Sequence, residues 1–362
     1  MEKKKILLAL QGGGAHGAFT WGVLDRLLEE ENLEIAAASG TSAGAVNATV
    51  LAYGLTIGNR QTAREMLDLF WRKNAESGMF SPFQPTWLDR MVSPGNMDFN
   101  PFYQSWGILT SFLSPYQLNP FDFNPLKDTL NEMIDFEKVR NNQKIKLFLS
   151  ATNVRTSQVK VFDTDEITVD SVLASACLPQ VFKAVEIDGE HYWDGGYVGN
   201  PALYPLLWEH DCNDLMVVQI NPTNYPKLPT TAHDIVDRAT DIGFNASLMR
   251  EIRFINGLNR LVDNGFDYDG ELEKVYIHFI NTGEGLNHLN GSSKLNVSWD
   301  YLTYLRDFGR KNADSWIKEN YDKIGVESTF DVEKFFGSDS PEAQTFILPG
   351  RKKARPFDCF FQ

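Results

Sequence analysis

Two short apolar runs near the start of the chain, each succeeded by a glycine-rich turn and a stretch at helical spacing, leave few folds open. Ile6–Leu10 is an unbroken run of five apolar residues, as expected of a strand buried on both faces. It stops at Gln11-Gly12-Gly13-Gly14, after which Phe19, Val23, Leu27 and Leu28 recur at helical spacing. Leu33–Ala38 reads as a second strand, and Ser42–Leu51 as a helix of small residues able to pack close to a sheet. Ile145–Ala151, Val159–Phe162, Leu215–Ile220 and Val275–Ile280 read as later strands. Asp188-Gly189, between Val185-Glu186-Ile187 and His191-Tyr192-Trp193, marks a hairpin turn. Strand–helix alternation of this kind predicts an α/β fold with a mostly parallel central sheet and helices on both faces.

Composition narrows the function classes. With 34 basic against 48 acidic residues the net charge is −14, a field that repels phosphate backbones and argues against a nucleic-acid partner. The basic group Arg351, Lys352, Lys353 and Arg355 reads as a solvated tail. No run approaches 18 apolar residues, so no membrane-spanning helix is expected. Five apolar residues after the first lysines are too few for a signal core. Cys177, Cys212 and Cys359 are odd in number and far apart, which predicts reduced thiols in a cytoplasmic chain and no metal site.

Two regions break the alternation. Residues 80–123 hold 11 of the 45 aromatics and 6 of the 16 prolines without a sustained period, as a lid or pocket insertion would. Residues 221–234 are rich in proline and threonine and read as an exit from the core. Beyond them Ile242, Leu248, Ile252, Ile255, Leu258 and Val262 recur at helical spacing, as do Trp299, Leu302, Leu305 and Phe308.

Three segments carry chemistry. Gly12 to Gly17 satisfies G-x-G-x-x-G between a strand and a helix, which raises a dinucleotide-binding reading. That reading needs an acid at the far end of the second strand, whereas Glu34 lies at its beginning and the strand ends in Ser39-Gly40. The strand runs instead into Gly40-Thr41-Ser42-Ala43-Gly44, a G-x-S-x-G on a strand-to-helix turn. There a serine is thrust outward, and flanking glycines remove the side chains that would collide. If the first two strands are neighbours, the amides of Gly12, Gly13 and Gly14 lie beside this serine as oxyanion donors. Of the histidines after Ser42 (His191, His210, His233, His278 and His288) none sits in a glycine-flanked loop after a strand. Asp194-Gly195-Gly196 ends the hairpin and precedes Gly199-Asn200-Pro201, read as a helix start. Its glycines would let a serine approach the carboxylate.

Taken together, LALQGGGAHGAF, SGTSAG and SACLPQVFKAVEIDGEHYWDGGYVGNPAL resemble the patatin-like phospholipase family over residues 5–221. The resemblance implies a three-layer α/β/α catalytic core over residues 1–221, with a mainly helical C-terminal extension over 222–362. It also implies hydrolysis of phospholipid or lysophospholipid esters by a Ser–Asp dyad without histidine, metal or other cofactor. Ser42 would be the nucleophile, Asp194 the base, and Gly12, Gly13 and Gly14 the oxyanion loop, with Gly17, Gly40, Gly44, Gly195 and Gly196 as supporting motif positions. The implied partner is a fatty-acyl ester, met at the periphery of a membrane. A neutral-lipid or general carboxylesterase is the alternative on the same residues. Where many members carry a basic loop residue this chain has His16, which near neutral pH need not be charged.

Overall fold

The computed structural model describes residues 3–79, 81–208, 212–225, 228–266 and 273–336, and of His233 the backbone alone. His210, Cys359 and the basic group at 351–355 lie outside the described residues. Residues 1–329 form one compact unit; a second begins at Phe330, and its described part holds one short helix, Val332–Phe336.

Among the described residues eight strands form one sheet: β1 (Lys4–Leu10), β2 (Leu33–Gly40), β3 (Lys146–Asn153), β4 (Val159–Asp163), β5 (Val185–Ile187), β6 (Glu190–Asp194), β7 (Asp214–Gln219) and β8 (Tyr276–Asn281). Their order is β5-β6-β3-β2-β1-β7-β8, with β4 also pairing β3. The pairs β3–β2, β2–β1, β1–β7 and β7–β8 are parallel, whereas β3–β4, β3–β6 and β5–β6 are antiparallel. The sheet is therefore mixed, parallel through its centre and antiparallel at one end. The hairpin sets the outermost pair: Asp188 and Gly189 both have positive φ, 51° and 79°, which turns β6 back beside β5. Five successive residues of β1 and all six of β7 are buried, so both faces of the centre are covered.

The helices match the sequence reading where it was periodic. Helix α1 (Gly17–Leu27) and helix α2 (Ala43–Ile57) succeed β1 and β2, and α3 (Arg60–Gly78) packs on α2. Residues 80–123 read from the sequence as a lid or pocket insertion without a sustained period. Their described part holds three short helices, α4 (Trp87–Val92), α5 (Pro101–Thr110) and α6 (Pro115–Leu118). Thr86, Asn100 and Ser114 cap these helices, and proline opens two of them. Each restart resets the phase, so no single period runs through the segment. Helices α7 (Pro125–Met133), α8 (Phe136–Arg140) and α9 (Val169–Ser175) complete the first two-thirds of the chain.

The fold continues past residue 221. Strand β8 extends the sheet beyond β7, and α10 (Ala232–Asp263) and α11 (Trp299–Asn320) belong to the same compact unit. Helices α1 and α11 meet backbone to backbone: a Cβ on Gly22 would strike the Arg306 carbonyl, and one on Gly309 the Phe19 carbonyl. No described helix is long and apolar enough to cross a membrane.

Candidate active site

Strands β1 and β2 are neighbours in parallel register, Leu10 opposite Gly40, so the turns that leave them lie side by side. Thr41 N–H donates to the Leu10 carbonyl at 3.3 Å and continues the pairing into the turn. Ser42 then adopts φ 54°, ψ −123°, a conformation that non-glycine residues rarely hold, and α2 starts at the next residue. The glycines around it are there for space. A Cβ on Gly44 would overlap the Leu10 carbonyl, one on Gly40 would come within 2.6 Å of the Gly44 carbonyl, and one on Gly17 within 2.6 Å of Ala43 Cβ. Ser42 N–H donates to Ser175 Oγ (3.0 Å), which donates in turn to the Ser150 carbonyl on β3 (2.7 Å). That hydroxyl holds the strained turn to its neighbouring strand.

Asp194 ends β6 opposite Ala151 of β3 and is fully buried. Its main chain is held at both ends, N–H to the Cys177 carbonyl at 2.8 Å and carbonyl from Thr152 Oγ1 at 2.7 Å. Oδ1 accepts the Gly196 N–H at 2.8 Å, whereas Oδ2 is buried without a hydrogen-bond partner. Burial pushes this carboxyl up to about 6 from its ordinary value of 3.8, opposed by the Gly196 N–H and by the nearby Ser42 hydroxyl. Ser42 is therefore within electrostatic reach of Asp194, short of a formed hydrogen bond. Gly195 permits the close packing: its Cβ would strike the Ser150 carbonyl and come 3.0 Å from Thr41 Cγ2, while one on Gly196 would enter the Phe244 ring.

Gly12 lies against the serine turn, where an added Cβ would sit 2.7 Å from Ser42 Cβ. Its N–H, expected as one of three oxyanion donors, is already bound to Asn200 Oδ1 at 2.7 Å. The amides of Gly13 and Gly14 carry no hydrogen bond among the described residues, and neither does that of Ala43 at the N-terminus of α2, where the helix dipole adds partial positive charge. The turn is held from behind. Gln11 Oε1 accepts the N–H groups of Ile220 and Asn221 (2.9 and 2.8 Å), and Asn221 Nδ2 donates to the Gly12 carbonyl at 2.7 Å. Gly14, at φ 59°, rests against the Lys294 backbone carbonyl.

His16 is buried with Nε2 2.7 Å from Ser293 Oγ, and its Nδ1 has no partner. Burial, then the charges of Lys294 and His288, press its pKa down to about 3. It is neutral, so it supplies no cation to the turn. His278 is buried between Asp214 Oδ1 and Thr329 Oγ1, 3.0 Å from each, a structural tie between strands. His191 and His288 are exposed, and among the described side chains no histidine hydrogen-bonds Ser42. Burial raises the thiols of Cys177 and Cys212 to about 12 and 11, which leaves both unreactive.

Sequence reading missed part of this arrangement. Gly199-Asn200-Pro201 does not start a helix; the next helical turn is Leu206–Trp208, and Asn200 turns its buried amide onto Gly12. Ser175, Asn221 and Lys294 had no motif to mark them, since polar residues bonding across 25 to 209 positions leave no local pattern.

A serine raised on a strand-to-helix turn at the C-terminal end of a mixed α/β sheet, beside free backbone amides, is the architecture of the α/β acyl hydrolases. A family model for patatin-like phospholipase matches residues 8–207, and the chain belongs to that family. A cGAMP-activated phospholipase from Vibrio cholerae serotype O1 is 27% identical over 235 aligned positions, which cover 58% of this chain and 58% of that protein. This chain thus spans a little over half of that relative. VipD from Legionella pneumophila superposes on 92% of this chain and 72% of its own, with a TM-score of 0.42 and 15% identity. ExoU, in its complex with SpcU from the Pseudomonas aeruginosa type III secretion system, covers 90% of this chain and 61% of its own, with a TM-score of 0.30 and 16% identity.

Proposed function

We propose that the protein is a serine acyl hydrolase of phospholipid or lysophospholipid esters, with Ser42 as nucleophile and Asp194 as base. One observation carries the reading: the buried, unpartnered Oδ2 of Asp194 within electrostatic reach of a serine held on a strained turn. Membership of the family supports the acyl-hydrolase class. In the first step Ser42 Oγ attacks the acyl carbonyl while its proton passes to Asp194 Oδ2. The amides of Gly13 and Gly14 receive the oxyanion, and the departing alkoxide takes the proton back. In the second step water gives a proton to the same carboxylate as it attacks the acyl-serine, and the carboxyl returns that proton to Ser42 Oγ as the fatty acid leaves. A carboxylate is ordinarily a feeble base for an alcohol; a burial that lifts it to about 6 makes it a better one. The dinucleotide reading loses support, because the Gly12 amide is bound to Asn200 and is not free for a pyrophosphate. Incubated with a mixed bilayer extract in excess EDTA, the protein is expected to release free fatty acid. Intact lipids, or activity restored only by calcium, would overturn the metal-free dyad.

The segment 81–123 supports contact with lipid. Helix α5 buries none of its residues, and Trp87, Phe112 and Phe121 are 71%, 82% and 94% exposed. Its base is firmly tied: Met97 N–H donates to Ser292 Oγ, and Asn96 Nδ2 to the His288 carbonyl. Its far end meets the approach to the Asp194 hairpin, where Lys183 Nζ donates to the Pro120 carbonyl at 2.9 Å. We assign these aromatics to the acyl chains of the substrate and its bilayer. Burying each CH₂ contributes ~0.8 kcal/mol, so kcat/KM should climb with acyl length. Trp87→Ala, or Trp106→Ala on α5 where the indole stacks on Phe102, should lower kcat/KM on long-chain esters about tenfold more than on butyrate, with the melting temperature kept. Equal losses on both, tracking a lowered melting temperature, would show that the segment only covers the core.

A further inference from the structure

A chain of hydrogen bonds runs from a cation into the glycine-rich turn. Lys294 Nζ donates to Asn221 Oδ1 at 3.0 Å and to Asp241 Oδ1 at 2.7 Å. Asn221 Nδ2 donates to the Gly12 carbonyl at 2.7 Å. That carbonyl and the Gly13 N–H are two ends of one peptide group, and the Gly13 N–H is unbonded among the described residues. Asn221 is 1% exposed and Asp241 4%, so water screens little of the path beyond the partly exposed Lys294 side chain. In such surroundings each hydrogen bond polarises the next by roughly 10–30%.

We propose that Lys294 is a positioning residue that sharpens the Gly13 amide as an oxyanion donor, acting through Asn221 and the Gly12–Gly13 peptide. Pulling electron density from the Gly12 carbonyl leaves the Gly13 proton more positive, where negative charge grows in the transition state. The lysine acts from behind the loop, in a chain whose own loop residue, His16, is neutral. Its field reaches the turn, since after burial it is the next largest influence keeping His16 unprotonated. Asn200, which fills the Gly12 amide, makes Gly13 the first donor of the turn left open.

The inference rests on Ser42 and Asp194 being the reacting pair, so its test has a readout that does not depend on turnover. Removing the lysine alone would strand the buried Asp241 carboxylate. The first variant is therefore the double Lys294→Met/Asp241→Asn, in which Asn keeps an acceptor for the Tyr225 hydroxyl now bonded to Asp241 at 3.1 Å. The second is Asn221→Asp, nearly isosteric, which keeps a partner for Lys294 and loses the donor to Gly12. In the folded double variant kcat should fall about tenfold with KM within about twofold, and the Gly13 amide proton should move upfield in the NMR spectrum. Asn221→Asp should move the same proton further and lower kcat by about 10²-fold. An unmoved Gly13 proton in either folded variant overturns the relay, as does a moved proton with unchanged kcat. If Ser42→Ala retains turnover, the catalytic reading fails on its own, and the Gly13 shift still reports whether the polarisation exists.

Discussion

Ser42→Ala and Asp194→Asn are each expected to lower kcat for lipid ester hydrolysis by about 10⁴-fold or more, and the double variant to be scarcely worse than either. The attacking oxygen and its proton acceptor act as one unit, so removing the second after the first subtracts little. Among the described residues no side chain hydrogen-bonds Ser42 Oγ; the backbone amide of Ser42 is bound to Ser175, whose hydroxyl is turned to the Ser150 carbonyl. Neither substitution changes the packing much. Alanine keeps the Cβ already accommodated at φ 54°, and asparagine keeps an oxygen for the Gly196 N–H. Circular dichroism and melting temperature would establish that both variants fold. Near-normal hydrolysis by either folded single variant would remove that residue from the reaction.

The parts of the molecule legible in the sequence were those with a local signal. The run Ile6–Leu10, the glycines after it and G-x-S-x-G each report on a few adjacent residues, and they placed β1, β2, α2 and the turns between them. The hairpin at Asp188-Gly189 was legible because two adjacent positive φ angles favour Asp-Gly. Its place in the sheet was not: the tight turn forces β5 and β6 antiparallel, but the pairing of β6 and of β4 with β3 carries no local signal. The three helices between residues 87 and 118 escaped because capping restarts their phase every few turns. The support behind the glycine turn escaped for a different reason. Asn200, Asn221 and Lys294 lie 188, 209 and 280 or more positions from the residues they serve, so only the folded chain brings them there. Strand β8 could be read from its apolar run, but its place at the edge beside β7 could not.

Asp194 should also make the protein less stable as the pH rises towards neutrality. Burial favours the neutral carboxyl in the folded chain, raising it from 3.8 to about 6. Below about pH 4 the group is protonated whether the chain is folded or not, and its ionisation contributes nothing against folding. Between about pH 4 and pH 6 the unfolded chain ionises first and is favoured. Above about pH 6 both forms are ionised, and the folded state carries a handicap of about 3 kcal/mol. Asparagine cannot ionise. The stability advantage of Asp194→Asn over the wild type should therefore grow by about 3 kcal/mol from pH 4 to pH 8, read from denaturant unfolding at both values. Wild-type kcat/KM should fall about tenfold per pH unit below pH 6, since only the ionised carboxylate accepts the serine proton. The two curves share one group and should bend at one pH. An advantage that stays constant across this range would mean that Asp194 ionises as an ordinary surface carboxylate does, and the burial-driven base would have to be abandoned. The carboxylate oxygen that weakens the fold for want of a partner is the one to which we assign the Ser42 proton in the proposed reaction.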